Sequence, residues 1–537
     1  MTILQILEKW AVEEPGKIAF TFHNEPPCTY NNLWQEITQC GSSLLRQGLK
    51  AKEPVIISIP NSSQFFYAFY GVQRAGGISV PVFPGSGNER ILKLANLCGA
   101  SFIMGTNGLN ILLPRHTSDG VRPNARRAIK SFDQTFSKVW PPAGPPEFPE
   151  IFPGDTAFIQ FTSGSVGDPK GVQLTHANLI TNVEQMIAGM EITKKDIFVS
   201  WLPVYHDMGL ILMTMVPFYL GTEMLLLPTG LNYLKTWLKG IHERRATFTA
   251  APDFAYRLCL IYIRDPENYD LSSLRVALDA AEPVRSTTIE RFEERFKLKN
   301  VMLPAYGLAE ATVGVCSWKP GRKVKVDGRG FVSVGSPFPH VEMRIMADKA
   351  VAAPAEIGQI GEIAVKSTAN TAGYFKNPAA TKELFDKQEY IRTGDLGYMD
   401  EDGDYFIVGR KKNIIIQGGF NIAAREVEEL VDEFPFVRRS AAVGIDRGSA
   451  EGEQVYIFIE VKLKKSQLED QEQLTGIAIN VVEGFEAQFG LRPGRVYLLK
   501  PGSIPMTYNG KIKYLQLKEF YINGTLRKEE LILFPEY

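Results

Sequence analysis

Apolar positions in the first part of the chain fall into two alternating patterns. Ile3, Leu4, Leu7 and Trp10 recur at intervals of three and four, the spacing of one face of an amphipathic helix. Val55-Ile-Ile-Ser-Ile59 and Gly77-Ile-Ser-Val-Pro-Val82 are short, nearly continuous β-type runs. The two patterns alternate from Met1 to about Leu112, which predicts βαβ units and a largely parallel sheet. From Leu113 to Gly154 the alternation stops. That stretch is basic, then proline-rich (Pro141-Pro-Ala-Gly-Pro-Pro146), and reads as a connector between sub-domains.

Periodicity resumes at Ala157-Phe-Ile-Gln-Phe161, and Thr175 is placed to cap the helix that follows the next polar loop. Leu210 to Pro228 is apolar enough to raise the question of a membrane span, but it carries Pro217, Gly221 and Glu223. A buried helix followed by the strand Met224-Leu-Leu-Leu227 explains it better. Ala277-Leu-Asp-Ala-Ala-Glu-Pro-Val-Arg285 and Met302-Leu-Pro-Ala-Tyr-Gly-Leu-Ala-Glu310 each read as a strand breaking into a polar elbow. Ligands of open α/β sheets sit beyond the carboxyl ends of strands, so both elbows are candidate site walls.

From Val332 to about Val408 short alternating strands such as Val341-Glu-Met-Arg-Ile345 and Ile360-Gly-Glu-Ile-Ala-Val365 predict a small β-rich, barrel-like sub-domain. After Arg410-Lys-Lys412 a second, smaller unit begins, with a strand over Asn413 to Gln417, a helix over Ala423 to Asp432 and a strand over Gln454 to Val461. The expected architecture is therefore α/β: a large N-terminal domain (1–410) of two mixed or parallel sheets plus the β sub-domain. A smaller α+β domain (411–537) follows.

Composition adds exclusions. A formal net charge of -1 over 537 residues gives no global electrostatic case for nucleic acid. Five cysteines without CxxC spacing argue against a disulfide framework or a zinc site and fit a reducing cytoplasm. The N-terminus lacks a basic start followed by an apolar run, so no signal peptide is expected.

The most informative polar stretch is Phe161-Thr-Ser-Gly-Ser-Val-Gly-Asp-Pro-Lys-Gly171. Gly164, Gly167 and Gly171 let backbone approach an anion, Thr162, Ser163 and Ser165 offer hydroxyls, and Lys170 supplies a point charge. On composition alone a polar surface turn explains it equally well. It is not a Walker loop, because Pro169 and Gly171 stand where that motif needs glycine and Ser or Thr.

Taken in order, the motifs resemble those of the adenylate-forming superfamily of acyl-CoA synthetases, peptide-synthetase adenylation domains and luciferases, and are most similar to the fatty acyl-AMP ligases. The resemblance runs from the N-terminus to about Tyr514. It rests on Thr162 to Gly171, with Val166 in place of a threonine, on Trp201-Leu-Pro-Val-Tyr-His-Asp-Met-Gly-Leu210, and on Asp279-Ala-Ala-Glu-Pro-Val284. It rests equally on Tyr306-Gly-Leu-Ala-Glu-Ala-Thr312, Gly373-Tyr-Phe-Lys-Asn-Pro378, Tyr390-Ile-Arg-Thr-Gly-Asp395, Gly409-Arg410 and Gly502 to Lys513.

The resemblance implies an enzyme that uses ATP and Mg²⁺ to convert a fatty acid to acyl-AMP. It implies triphosphate contacts at Thr162, Ser163, Gly164, Ser165, Gly167 and Lys170, and an adenine turn at Asp279, Ala281, Glu282 and Pro283. Tyr306 and Gly307 would pack on the purine, Glu310 hold magnesium, Thr312 reach the α-phosphate, Asp395 and Arg410 bind ribose and phosphate, and Lys511 act as the catalytic lysine. Lys412 would be the hinge. Trp201, His206, Met208, Gly209 and Leu210 would form the gate of the acyl pocket. Without the resemblance, a core histidine is the alternative reading of His206, and solvated charges are an equal alternative for Lys411 and Lys412. Within the Gly502–Lys513 loop, Met506, Tyr508 and Asn509 depart from the family's usual residues.

The His-Asp-Met-Gly form of the gate implies transfer to an acyl carrier protein or a polyketide or peptide synthase. The family's usual inserted segment has little room between Glu310 and Gly335, which leaves coenzyme A as the alternative acceptor. A non-catalytic nucleotide or acyl-adenylate sensor is the competing class. A hydrolase is disfavoured because no Gly-x-Ser-x-Gly elbow occurs.

Overall fold

The computed structural model describes residues 1–105, 111–112, 147–162, 169–347, 355–418, 420–446, 453–463, 470–507, 511–528 and 532–534. Ser163, Gly164, Ser165, Val166 and Gly167, and most of the proline-rich connector, lie outside them.

The alternating apolar runs become two large sheets. One has six strands, with Phe102–Gly105, Pro54–Ser58, Ile78–Pro81 and Thr156–Thr162 parallel at its centre and Lys170–Thr175 antiparallel at one edge. The other has nine, with Met302–Tyr306, Val276–Asp279, Phe248–Ala251, Phe198–Ser200, Met224–Leu226 and Ile18–Phe22 running parallel. Strands such as Phe248–Ala251 and Val276–Asp279 are buried throughout, as parallel strands covered on both faces must be. Between the sheets lies the largest core, rich in aromatic rings including Phe65, Phe66, Phe69, Tyr70, Phe158, Phe198 and Phe218.

The N-terminal helix Ile3–Glu13 docks on that core through Trp10, whose Nε1–H donates to Phe218 O at 2.9 Å. The apolar stretch expected as a buried helix is a π-helix, Met208–Met215, continuing into Val216–Leu220. Every residue from Met208 to Phe218 is buried in protein, which accounts for its unbroken hydrophobicity. Among the described residues no helix is long and apolar enough to cross a membrane.

Thr175 caps the helix His176–Gly189 through a capping box with Asn178, accepting its N–H at 3.1 Å. Asn178 also donates to Thr368 O and Asn370 O, which ties this helix to the small β sub-domain. That sub-domain is a four-stranded antiparallel sheet of Glu342–Met346, Gly361–Lys366, Ile391–Met399 and Tyr405–Arg410.

Residues after Ile414 build two buried clusters of their own. They cover both faces of the sheet Val437–Asp446, Glu453–Val461, Arg495–Leu499 and Ile532–Phe534, with the helices Ala424–Asp432, Gln471–Phe489 and Tyr514–Ile522. The strand expected from Asn413 starts at Ile414, because Lys411–Asn413 forms a single 3₁₀ turn.

Candidate active site

A cavity of about 2740 Å³ opens where the strands Val276–Asp279 and Met302–Tyr306 end. The small sheet and the segment around Lys511 close it from the other side. Both elbows line it: Ala281, Glu282 and Pro283 from the first, Tyr306, Gly307 and Glu310 from the second. Ala281 holds a left-handed backbone at φ 70°, which turns the chain sharply across the strand ends. Gly307 has no room for a side chain, since a Cβ there would lie 1.7 Å from Val313 O. Burial and the nearby Asp253 raise the Glu282 carboxyl, while Phe254 N–H and Lys511 oppose them.

Asp395 is the hub of the polar wall. Its Oδ2 accepts the Tyr306 hydroxyl at 2.6 Å and its Oδ1 pairs with Arg410 Nε at 2.8 Å. Arg410 also donates to Thr393 O at 3.1 Å. Burial lifts the Asp395 carboxyl above the ordinary range, against the pull of Arg410, Tyr306, Lys511 and Lys412.

Lys170 begins the strand that pairs directly with Thr162, so the two ends of the glycine- and hydroxyl-rich stretch lie side by side. Glu310, in the 3₁₀ turn Ala309–Ala311, accepts the Tyr374 hydroxyl at 2.8 Å. Neither Lys170 nor Glu310 makes an ion pair among the described residues. On the opposite wall His206 Nδ1 lies 2.6 Å from Asp207 Oδ1, which also accepts Met208 N–H at 2.7 Å at the start of the π-helix. Burial works to raise the Asp207 carboxyl, but His206, Met208 N–H and Lys511 outweigh it and the net shift is downward.

Lys511 reaches this cavity from the C-terminal unit. Its amide donates to Thr507 Oγ1 at 2.9 Å, and its carbonyl accepts Thr507 N–H at 2.8 Å. The ammonium is crowded by protein while still open to the cavity, and this desolvation lowers its pKa. Asp207, Glu282 and Asp395 act against that shift, and Arg410 adds to it. Three residues on, the Tyr514 hydroxyl donates to Glu428 at 2.9 Å, whose carboxyl burial pushes up to about 8. Across the domain boundary Arg285 pairs with Asp432 at 2.8 Å and Arg425 donates to Val284 O at 2.9 Å. The first elbow and the helix Ala424–Asp432 are thereby locked together in this arrangement.

One arm of the cavity is apolar, with Met186, Met190, Met208, Leu212 and Phe338 among its walls. The Phe338 ring is seated against two glycines: a Cβ at Gly189 would come within 2.1 Å of it and one at Gly314 within 2.9 Å.

Among the described residues, four expected site residues do not line the cavity. Leu278 and Ala280 do, so Asp279 between them faces the other way, as strand alternation requires. It is fully buried, and both its carboxyl oxygens lack a partner among the described residues. Burial and the nearby Asp253 and Glu282 raise its carboxyl pKa well above the ordinary range. Thr312 is also fully buried, its hydroxyl donating to Ala369 O at 2.6 Å rather than facing a phosphate. Gly209 packs its α-carbon against the backbone, with a Cβ position 2.1 Å from Pro203 O, and Leu210 belongs to the core. Trp201, His206, Met208, Thr162, Lys170, Asp395, Arg410, Lys412 and Lys511 all line the cavity. Asp207 and Tyr374 do so as well, and neither is singled out by sequence reasoning although both fall inside recognised motifs.

The profile of the AMP-binding enzyme family matches residues 7–375. The chain belongs to the AMP-binding enzyme family. Among its relatives, FadD21 of Mycobacterium tuberculosis, which carries the name of a fatty-acid–CoA ligase, is 30% identical, with 97% of this chain and 98% of that one aligned. JamA of Moorena producens, a medium-chain-fatty-acid–[acyl-carrier-protein] ligase, is 28% identical over 98% of this chain and 96% of its own. Among solved structures, one from a study of fatty acyl-adenylate ligases from E. coli and L. pneumophila superposes with a TM-score of 0.83 at 25% identity. It covers 98% of both chains. In this AMP-binding enzyme, residues from Phe83 to Phe520 line one cavity.

Proposed function

We propose that this protein activates a fatty acid with ATP, forming acyl-AMP and releasing pyrophosphate, and then passes the acyl group to the thiol of an acyl carrier protein. The observation that carries this reading is the convergence of Lys511, Lys170, Glu310, Asp395 and Arg410 on one cavity that also has an apolar arm. Adenylation needs that combination: cationic groups where two anions meet, an anchor for the nucleoside, and a dry slot for a hydrocarbon tail.

In this reading the carboxylate oxygen attacks the α-phosphorus as the bond to the bridging oxygen of pyrophosphate breaks. Lys511 and Lys170 offset the repulsion between the approaching anions and hold the charge that develops on the phosphoryl oxygens. Tyr306 offers a ring face for the purine, and Asp395 with Arg410 grips the ribose side. Glu310 suits a magnesium ion, since it lines the cavity, lacks an ion-pair partner among the described residues and accepts only a neutral phenol. Magnesium, when bound, neutralises phosphate charge and orients the triphosphate. Release of the Arg285–Asp432 and Arg425–Val284 contacts by rotation at Lys412 would then withdraw Lys511 and let a thiol reach the acyl carbon, with AMP leaving.

Coenzyme A is the second acceptor reading, favoured by the short path from Glu310 to Gly335, in which Cys316–Ser317 pairs directly with Ser336–Pro337. An assay offering carrier protein and coenzyme A side by side, with acids of several lengths, decides between them. Acylation of the carrier protein is the expected result. Formation of acyl-CoA without it would replace the first reading by the second. The absence of any fatty-acid-dependent exchange between pyrophosphate and ATP would make the protein a sensor.

The apolar arm sets chain length in this reading. Phe338→Leu shortens the side chain that fills the gap between Gly189 and Gly314, and the preferred acid is expected to lengthen by about two carbons, the volume of a lost ring edge. Relative kcat/KM across a series of acids measures it, and an unchanged preference would remove Phe338 from the pocket floor.

A further inference from the structure

Tyr374 stands between the two charged groups that the proposed reaction needs at the phosphates. Its hydroxyl donates to Glu310 Oε1 at 2.8 Å, and Lys170 Nζ lies 4.9 Å from its ring centre. The backbone around it is tied on both sides. Toward the phosphate loop, Val172 bridges to Tyr374, Phe375 N–H donates to Gly171 O at 2.8 Å, and Gln173 N–H donates to Gly373 O at 3.2 Å. Toward the second elbow, Thr371 N–H donates to Glu310 O at 2.8 Å. Tyr374 N–H itself donates to Thr381 Oγ1 at 2.9 Å. The segment 371–375 is thus a backbone splice between the strand that starts at Lys170 and the turn that holds Glu310.

A lysine and a glutamate facing one cavity would otherwise satisfy each other. A direct ion pair would use up the cation meant for a phosphate and the carboxylate meant for a metal. Tyr374 prevents this with weaker partners: a neutral phenol occupies one oxygen of Glu310, and the ring face takes the ammonium electrostatically.

We propose that Tyr374 is a positioning residue that keeps Lys170 and Glu310 apart yet aligned, so that the cavity presents separate phosphate and metal contacts. This rests on the ATP-dependent reading of the site given above. Tyr374→Phe keeps the ring and removes only the hydrogen bond to Glu310. It is expected to weaken Mn²⁺ binding in the presence of a non-hydrolysable ATP analogue about tenfold, read by electron paramagnetic resonance, the loss appropriate to one hydrogen bond to a charged group. Binding of the analogue without metal should stay within about twofold, since the cation–π contact is retained. Tyr374→Leu should weaken both, because Lys170 and Glu310 can then pair. In a Glu310→Gln background, Tyr374→Phe should add almost nothing, as two changes along one coupled path do.

Wild-type metal affinity in Tyr374→Phe would overturn the proposal. So would equal losses with and without metal, which would mark the tyrosine as merely structural. If the unaltered protein binds no metal–nucleotide complex, the reading beneath the proposal fails first, and the control titration shows it.

Discussion

Lys511→Ala is expected to slow fatty-acid-dependent pyrophosphate release by about 10²–10³-fold, the usual cost of removing one preorganised group from a developing oxyanion. ATP binding should survive, because Tyr306, Asp395, Arg410 and Lys170 belong to the other domain and are positioned without it. The same variant, given preformed acyl-AMP, should still transfer the acyl group to a thiol acceptor, since Lys511 enters the argument only while phosphoryl charge is developing. Pyrophosphate release at the wild-type rate would end its assignment.

The pH profile supplies an independent check with a definite sign. In the proposed reaction Lys511 acts as an ammonium, and desolvation lowers its pKa. The charge is therefore lost as pH rises through a value below that of free lysine, so adenylation should fall off earlier on the alkaline side than a solvated lysine would allow. Lys511→Arg should push that limb to higher pH while costing rate through its different shape.

Asp395→Ala is the second large effect. It removes the acceptor of Arg410 Nε at 2.8 Å and of the Tyr306 hydroxyl at 2.6 Å, leaving Arg410 only its bond to Thr393 O. A buried donor left unsatisfied, here the Tyr306 hydroxyl, costs about 1–3 kcal/mol, so the melting temperature should fall by several degrees, and loss of the proposed ribose contact should raise the KM for ATP about 10²-fold. Asp395→Asn separates the two consequences. The amide oxygen can still accept one of these bonds and restore much of the stability, but it cannot offer a carboxylate to two ribose hydroxyls. Melting curves and ATP titrations on the pair read this directly, and an unchanged ATP KM in the alanine variant would remove Asp395 from the nucleotide site.

Much of the candidate site was legible because its residues lie in short runs at strand ends. Tyr306 to Glu310 and Ala281 to Pro283 follow directly from strands whose continuous apolar character announces burial, and a parallel sheet brings such ends to one edge. Asp279 and Thr312 show where local reading fails. Each sits inside a motif whose neighbours line the cavity, but strand alternation turns the first away from it and a 3₁₀ turn ending at a left-handed residue buries the second. Lys170 stood out in its glycine- and hydroxyl-rich stretch and Glu310 through the resemblance of its motif, whereas Tyr374 could not be given its role until the fold laid the segment 371–375 across both.

The amino-acid sequence by itself determined the α/β class with its large sheets and the small β-rich sheet, because periodicity and turn residues are local and short-ranged. Tertiary structure alone decided which faces the charged groups present: that Asp207 and Glu282 surround Lys511, that Arg285 grips Asp432, and that a tyrosine holds Lys170 and Glu310 apart. These are contacts between segments far apart in the chain, fixed by packing of one domain on another, and no pattern along a single stretch encodes them.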